Sequence, residues 1–105
     1  MANIKKLTYA DERVYMTSFH GTTVHASIRQ ICNALGIETP RYEMGDKTHY
    51  DIPLEIDGIV CTVYDWKEGD YITEDTPLFY HIGAHSAEES QKVGAILRSL
   101  GLDVN

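Results

Sequence analysis

Asp57-Gly58 sits between two runs of alternating apolar residues, and this arrangement constrains the chain more than any other. Asp-Gly supplies the positive φ angles of a tight two-residue turn, whose twist matches that of the strands it joins. Tyr50, Ile52, Leu54 and Ile56 precede the turn and alternate with His49, Asp51, Pro53 and Glu55. Ile59 to Trp66 forms the returning strand. A two-residue loop sets the register, pairing Ile56 with Ile59, Leu54 with Cys61, Ile52 with Val63 and Tyr50 with Asp65. That face is apolar along most of its length and is read as the core face. The opposite face carries Val60, Thr62, Tyr64 and Trp66 and is too apolar for plain exposure to water. Another layer of the chain, a ligand or a second subunit is expected to cover it.

Around the hairpin the pattern predicts an α+β fold. Residues 1–10 read as a short lead-in strand or a loose segment, and Arg13 to Phe19 as a strand rich in β-branched and aromatic residues. Val24, Ile28, Ile31, Cys32 and Leu35 then recur at helical spacing. Thr22 or Thr23 is the expected cap of that helix, and Gly36 its left-handed end. Glu38 to Lys47, with Pro40 and Gly45, reads as a loop. Leu78 to Ile82 reads as a strand leading to Ser86-Ala-Glu-Glu89, a capping box. Val93, Ile96, Leu97 and Leu100 make the stripe of a second helix, which Gly101 ends. The expected order is β-α-β-β-β-α: a mainly antiparallel sheet with two helices packed on one face, in a single domain spanning 1–105.

Charge and composition narrow the function classes. The formal net charge is −7, and the nine Lys and Arg residues are scattered, so a nucleic acid polymer is a disfavoured partner. No apolar run approaches the ~20 residues of a membrane helix, and the start lacks the apolar stretch of a signal peptide. The expected location is the cytoplasm. Cys32 and Cys61, each on the apolar side of its element, read as small buried hydrophobes rather than a disulfide or a zinc site.

Three clusters could carry chemistry. His20-Gly21-Thr22-Thr23 reads as a strand end running into a helix start, and so does His81-Ile82-Gly83-Ala84-His85-Ser86. Each offers a glycine, a hydroxyl, a histidine and the unpaired N–H groups of a helix N-terminus, a combination suited to a phosphate or carboxylate. The same residues also serve if they only turn the chain and cap helices. Neither cluster matches the phosphate-loop or dinucleotide glycine patterns. The third cluster is Tyr64-Asp65-Trp66-Lys67, where an aromatic pair beside Lys67 could stack a nucleobase and meet a phosphate. A core or subunit contact would use the same aromatic residues. His20-Gly21-Thr22 has the HxT form of two-histidine phosphoesterases, but His85-Ser86-Ala87 lacks the spacing of the second copy. His20, His25, His81 and His85 have no recognised metal-ligand spacing. No catalytic residue, metal or cofactor is assigned.

The stretch Gly45 to Lys67, GDKTHYDIPLEIDGIVCTVYDWK, with the later strand running through Ile-Gly-Ala into a capped helix, resembles small phage-encoded accessory proteins. Together these segments cover about half the chain. The resemblance implies a role in host takeover or counter-defence, by sequestering a nucleotide immune signal in the host cytoplasm without cleaving it. The residues themselves predict a non-enzymatic binder of a small anionic, nucleotide-like ligand. Its contacts would come from His20, Gly21, Thr22, Thr23, Tyr64, Trp66, Lys67, His81, Gly83, His85 and Ser86. A module that binds and inhibits a host protein through the Tyr64/Trp66 face is the competing class. The uncovered sheet face also predicts a homodimer or higher homo-oligomer.

Overall fold

In the computed structural model, the Asp57-Gly58 hairpin forms with the register its spacing requires: Ile56 pairs with Ile59, Leu54 with Cys61 and Ile52 with Val63. Asp57 and Gly58 have φ of 49° and 84°, the paired positive angles of a type I′ turn. The structure describes residues 2–45, 47–69 and 71–105. Asp46, part of the Asp-Lys in the stretch quoted above, lies outside them.

The strands are β1 (Ile4–Lys6), β2 (Ser18–Ala26), β3 (Asp51–Ile56), β4 (Ile59–Tyr64), β5 (Leu78–Ala84) and β6 (Asp103–Val104). The helices are α1 (Ile28–Leu35) and α2 (Ala87–Ser99), and a 3-10 turn occupies Glu12–Val14. All six strands form one antiparallel sheet in the order β1-β3-β4-β5-β2-β6. The fold is α+β, with both helices on one sheet face. Ile28, Ile31, Cys32 and Leu35 of α1 and Val93 and Leu97 of α2 meet Val24, Ile52, Leu54, Ile56, Cys61, Val63 and Ile82 of the sheet in one buried cluster. No helix among the described residues is long and apolar enough to cross a membrane.

Two sequence-based expectations are corrected. Arg13 to Phe19 is not a strand: Glu12–Val14 is a 3-10 turn, and the strand begins at Ser18. The first helix does not begin near Val24, and Thr22 and Thr23 do not cap it. Both threonines lie in β2, and α1 is capped by Ser27. The Ser27 hydroxyl accepts from the Gln30 N–H at 3.1 Å, and the Gln30 side chain accepts from the Ser27 N–H at 2.9 Å, a reciprocal box. Val24 belongs to the core through strand alternation with Thr22 and Ala26, which are also buried.

The helix ends follow the reading closely. At Gly36 (φ 72°) the chain turns left-handed, and the Ile37 N–H donates to the Cys32 carbonyl at 3.0 Å. Gly101 repeats the motif after α2, with Leu102 N–H donating to the Leu97 carbonyl at 3.2 Å.

The sheet face away from the helices is partly covered from within the chain. Residues 7–17 cross it, the Leu7 N–H donates to the Pro53 carbonyl at 2.9 Å, and Val14 is buried. Arg13 fastens the segment with ion pairs of 2.5 Å to Glu55 and 2.8 Å to Asp11. Of the expected covers, a layer of this chain therefore supplies the near part of the face and leaves its far part open. Val60 and Thr62 are buried, whereas Phe19, Trp66 and Phe79 stay 42%, 39% and 55% exposed.

Candidate functional site

The exposed part of the outer sheet face gathers aromatic rings from three strands. Antiparallel pairing sets Tyr64 of β4 opposite His81 of β5, and His81 opposite Thr23 of β2. His81 stacks on Phe19 with ring centroids 4.0 Å apart and lies 6.4 Å from Trp66, nearly parallel to it. Tyr64 meets both Trp66 and His81 edge-on, at 6.1 and 5.4 Å. Burial among these rings lowers the His81 pKa, against a smaller opposing pull from Glu68, so the imidazole is neutral near pH 7.

Two lysines complete this end of the sheet. Lys47 Nζ lies 5.6 Å and Lys67 Nζ 5.7 Å from the centroid of the Trp66 ring, within cation–π range. A 2.7 Å backbone bond from the Lys67 N–H to the Lys47 carbonyl brings them together, and Lys67 is left-handed with φ 55°. Neither ammonium pairs with a carboxylate among the described residues. Asp65, fully buried, anchors the neighbouring chain. One of its oxygens accepts from the His49 and Tyr50 N–H groups at 2.7 and 2.8 Å.

Beside the rings runs a groove of two adjoining cavities, about 240 and 230 Å³, which share Tyr9, Thr48 and Asp51. Tyr64, Trp66, Thr62 and Thr17 line the first; Pro40, Arg41, Glu43 and His49 line the second. Each alone is smaller than the roughly 300 Å³ at which small-ligand sites begin, so a ligand bound here would span both. Asp51 is the cross-strand partner of Tyr64 and accepts from the Tyr9 hydroxyl. Desolvation raises the Asp51 pKa, and the Tyr9 hydrogen bond opposes that rise only in part. Burial, then the carboxylate itself, pushes the Tyr9 phenol well above its ordinary value, so it stays a donor.

The structure brings Tyr64, Trp66, Lys67 and His81 together, and Thr23 lies at their margin. It sends the other candidates elsewhere. His20-Gly21-Thr22 is not a helix start but a bulge of β2: three residues between Phe19 and Thr23 face the single Ile82. Gly21 (φ 97°) turns the strand there. The Thr22 hydroxyl accepts from Ser90 of α2 at 2.7 Å, in the buried layer, so it is engaged with the helix. His20 Nε2 lies 3.1 Å from the Ala84 carbonyl. His20, Gly21 and Thr22 line a separate cleft of about 310 Å³ with Gln91 and Arg98.

The second junction is a strand end running into a helix capped by Ser86, as expected, but the return bond from the Glu89 side chain that would complete the capping box is not formed. Ser86 accepts from the Glu89 N–H at 3.2 Å, and His85 Nε2 lies 2.6 Å from the Arg13 carbonyl. Gly83 is explained by packing: a β-carbon there would lie 2.3 Å from Thr62 Oγ1. Among the described residues, no group of three or more His, Cys, Asp or Glu side chains is placed to hold a metal ion. Sequence reasoning missed Lys47, Tyr9, Asp51 and Phe19 as site residues. Only Asp51 left a signal, as a carboxylate facing Tyr64 in the hairpin register. Comparison with protein-family models, curated proteins and solved structures finds no match.

Proposed function

We propose that this protein binds a small anionic ligand of nucleotide type in the groove beside Trp66 and holds it without cleaving it. The observation that carries this reading is an exposed indole flanked by two lysines at the mouth of a groove. A base stacked on an aromatic side chain gains roughly 1–3 kcal/mol. Two ammonium groups held beside one ring can meet a phosphate against the protein's overall negative field. The ligand contacts are therefore drawn from Tyr64, Trp66, Lys67 and His81, joined by Lys47 and Asp51. With the resemblance to phage accessory proteins, this reading becomes sequestration of a nucleotide signal in the host cytoplasm.

Calorimetry against linear and cyclic nucleotides, including ADP-ribose derivatives, tests it. Binding in the micromolar range is expected, and replacing both lysines with alanine weakens it by about tenfold or more, the value of one charged hydrogen bond. Intact ligand released from heated complex distinguishes a sponge from an enzyme. Absence of binding below millimolar concentration across the panel sinks the proposal.

Exposed Phe19 and Phe79, the latter stacked on His25 at 4.4 Å, favour a second reading in which this face meets a protein. That partner is a second copy of the chain. Phe19, His25, Phe79 and His81 form an aromatic stripe, and the carboxylate at its edge, Asp103, lies 3.9 Å from His25 Nδ1, so two copies can meet on the rings despite the net charge of −7. Light scattering is then expected to give twice the 11.9 kDa chain mass, and Phe79→Glu to give monomers. A monomer at high micromolar concentration excludes the dimer. A stoichiometric host protein captured by a ligand-free preparation would favour the inhibitor class instead.

A further inference from the structure

We propose that the groove selects guanine, with the Asp51 carboxylate accepting from the N1–H and 2-amino groups of a base stacked on Trp66 and bordered by Tyr64. This inference rests on the nucleotide reading above and names the base. Three observations carry it. Asp51 lines both cavities, which places this residue where they adjoin. It is the register partner of Tyr64, and directly paired side chains on one sheet face lie within about 5.5 Å at Cβ. A ring stacked on Trp66 and bordered by Tyr64 is therefore within reach of Asp51 at its edge. Finally, a carboxylate accepts at about four lone-pair sites, and among the described residues Tyr9 is the one side-chain donor to it.

The remaining sites ask for donors, and the bases differ in what they offer. Guanine presents two adjacent donors, N1–H and the 2-amino group, a match for the two oxygens of a carboxylate. Adenine and cytosine each present one amino group next to a ring-nitrogen lone pair, which would face the negative charge. Uracil has a single N–H between two carbonyls. Thr48, which also lines both cavities, has a hydroxyl donor available for the guanine O6. Desolvation supplies the discrimination. The carboxylate is already partly withdrawn from water, so a base that fails to pair with it displaces water without replacing its hydrogen bonds.

Calorimetry of the wild-type protein with GMP, IMP and AMP is the test. IMP keeps N1–H but lacks the 2-amino group. The expected order is GMP tighter than IMP, and IMP tighter than AMP, with GMP over AMP by roughly tenfold to a hundredfold, below the limit for fully enclosed polar sites. In Asp51→Asn, whose amide offers one donor and one acceptor, the GMP-to-AMP ratio falls toward one. AMP or an adenine-bearing ligand binding as tightly as GMP overturns the guanine inference and leaves the nucleotide reading standing. So does a GMP preference that survives Asp51→Asn. If none of the three binds at millimolar concentration while ADP-ribose derivatives do, only the base assignment fails; if nothing binds, both readings fail. Should Asp51→Asn not fold, the order of the three ligands on wild-type protein still decides.

Discussion

Replacing Gly83 with alanine tests whether this glycine exists for packing or for a ligand. Gly83 of β5 lies opposite Thr62 of β4 on the outer face. An added β-carbon would sit 2.3 Å from Thr62 Oγ1 and 3.4 Å from Tyr64 Cε1. The first distance is far inside contact, and Thr62 is only 4% exposed, so relief requires its side chain to turn toward the groove it lines. Overpacking of this kind costs roughly 1–3 kcal/mol, while alanine recovers about 0.4–1 kcal/mol by restricting the unfolded chain. The net loss is about 1–2 kcal/mol, which lowers a urea midpoint by roughly 0.5–1 M for a slope near 2 kcal/mol/M. Urea denaturation of Gly83→Ala, Thr62→Ala and the double variant measures it. Because the clash is with the threonine hydroxyl, Thr62→Ala should relieve most of the loss, giving a coupling of about 1–2 kcal/mol. A Gly83→Ala protein with the wild-type midpoint refutes the reasoning, and so does a double variant that recovers nothing.

Burial pushes the Cys32 thiol to about 11 and Cys61 to about 12, so a thiol reagent at pH 8 should label neither in native protein and both in denaturant. Fast native labelling would place one at the surface. Ser27→Ala should cost about 1 kcal/mol by thermal melting, since it removes half of a capping box, whereas Thr22→Val should leave helix content unchanged. Asp51 has a folded pKa above its usual 3.8, so its contribution to stability is fullest below that value and is lost as pH rises through the folded pKa. Asp51→Asn should therefore be more stable than wild type at pH 7, with the difference shrinking on acidification toward pH 3; a variant less stable at pH 7 would reverse the sign.

The hairpin and α2 were legible because local signals agreed there. Asp57-Gly58 allowed one register, and Ser86, the stripe from Val93 to Leu100, and Gly101 each marked the same helix. The passage from β2 to α1 was misread for a physical reason. Val24 fits both periods, lying two residues from Ala26 and four from Ile28. Helical spacing extended through Val24 conceals the box Ser27-Ile-Arg-Gln30, which was present in the sequence. Residues 7–17 were illegible for another reason. Val14 is buried by the outer sheet face and Arg13 is held by Glu55, contacts that exist only after the sheet has formed. The site divided along the same line. Tyr64, Trp66 and Lys67 are neighbours in sequence and were found. Lys47 joins them through a backbone bond across a loop, and Tyr9 through a side chain forty-two positions from its acceptor.

The two outermost strands, β1 and β6, are three and two residues long. An outer strand exposes a row of unused N–H and C=O groups, on which a further chain can polymerise by strand addition. Here those rows are too short to seat an incoming strand of ordinary length, and Lys5 and Lys6 add charge along one of them. Growth into open-ended fibrils through the ends of this sheet is thereby suppressed. On the sequestration reading proposed above, such protection matters, since a protein held at high concentration can expose an aromatic face only if its strand margins do not polymerise.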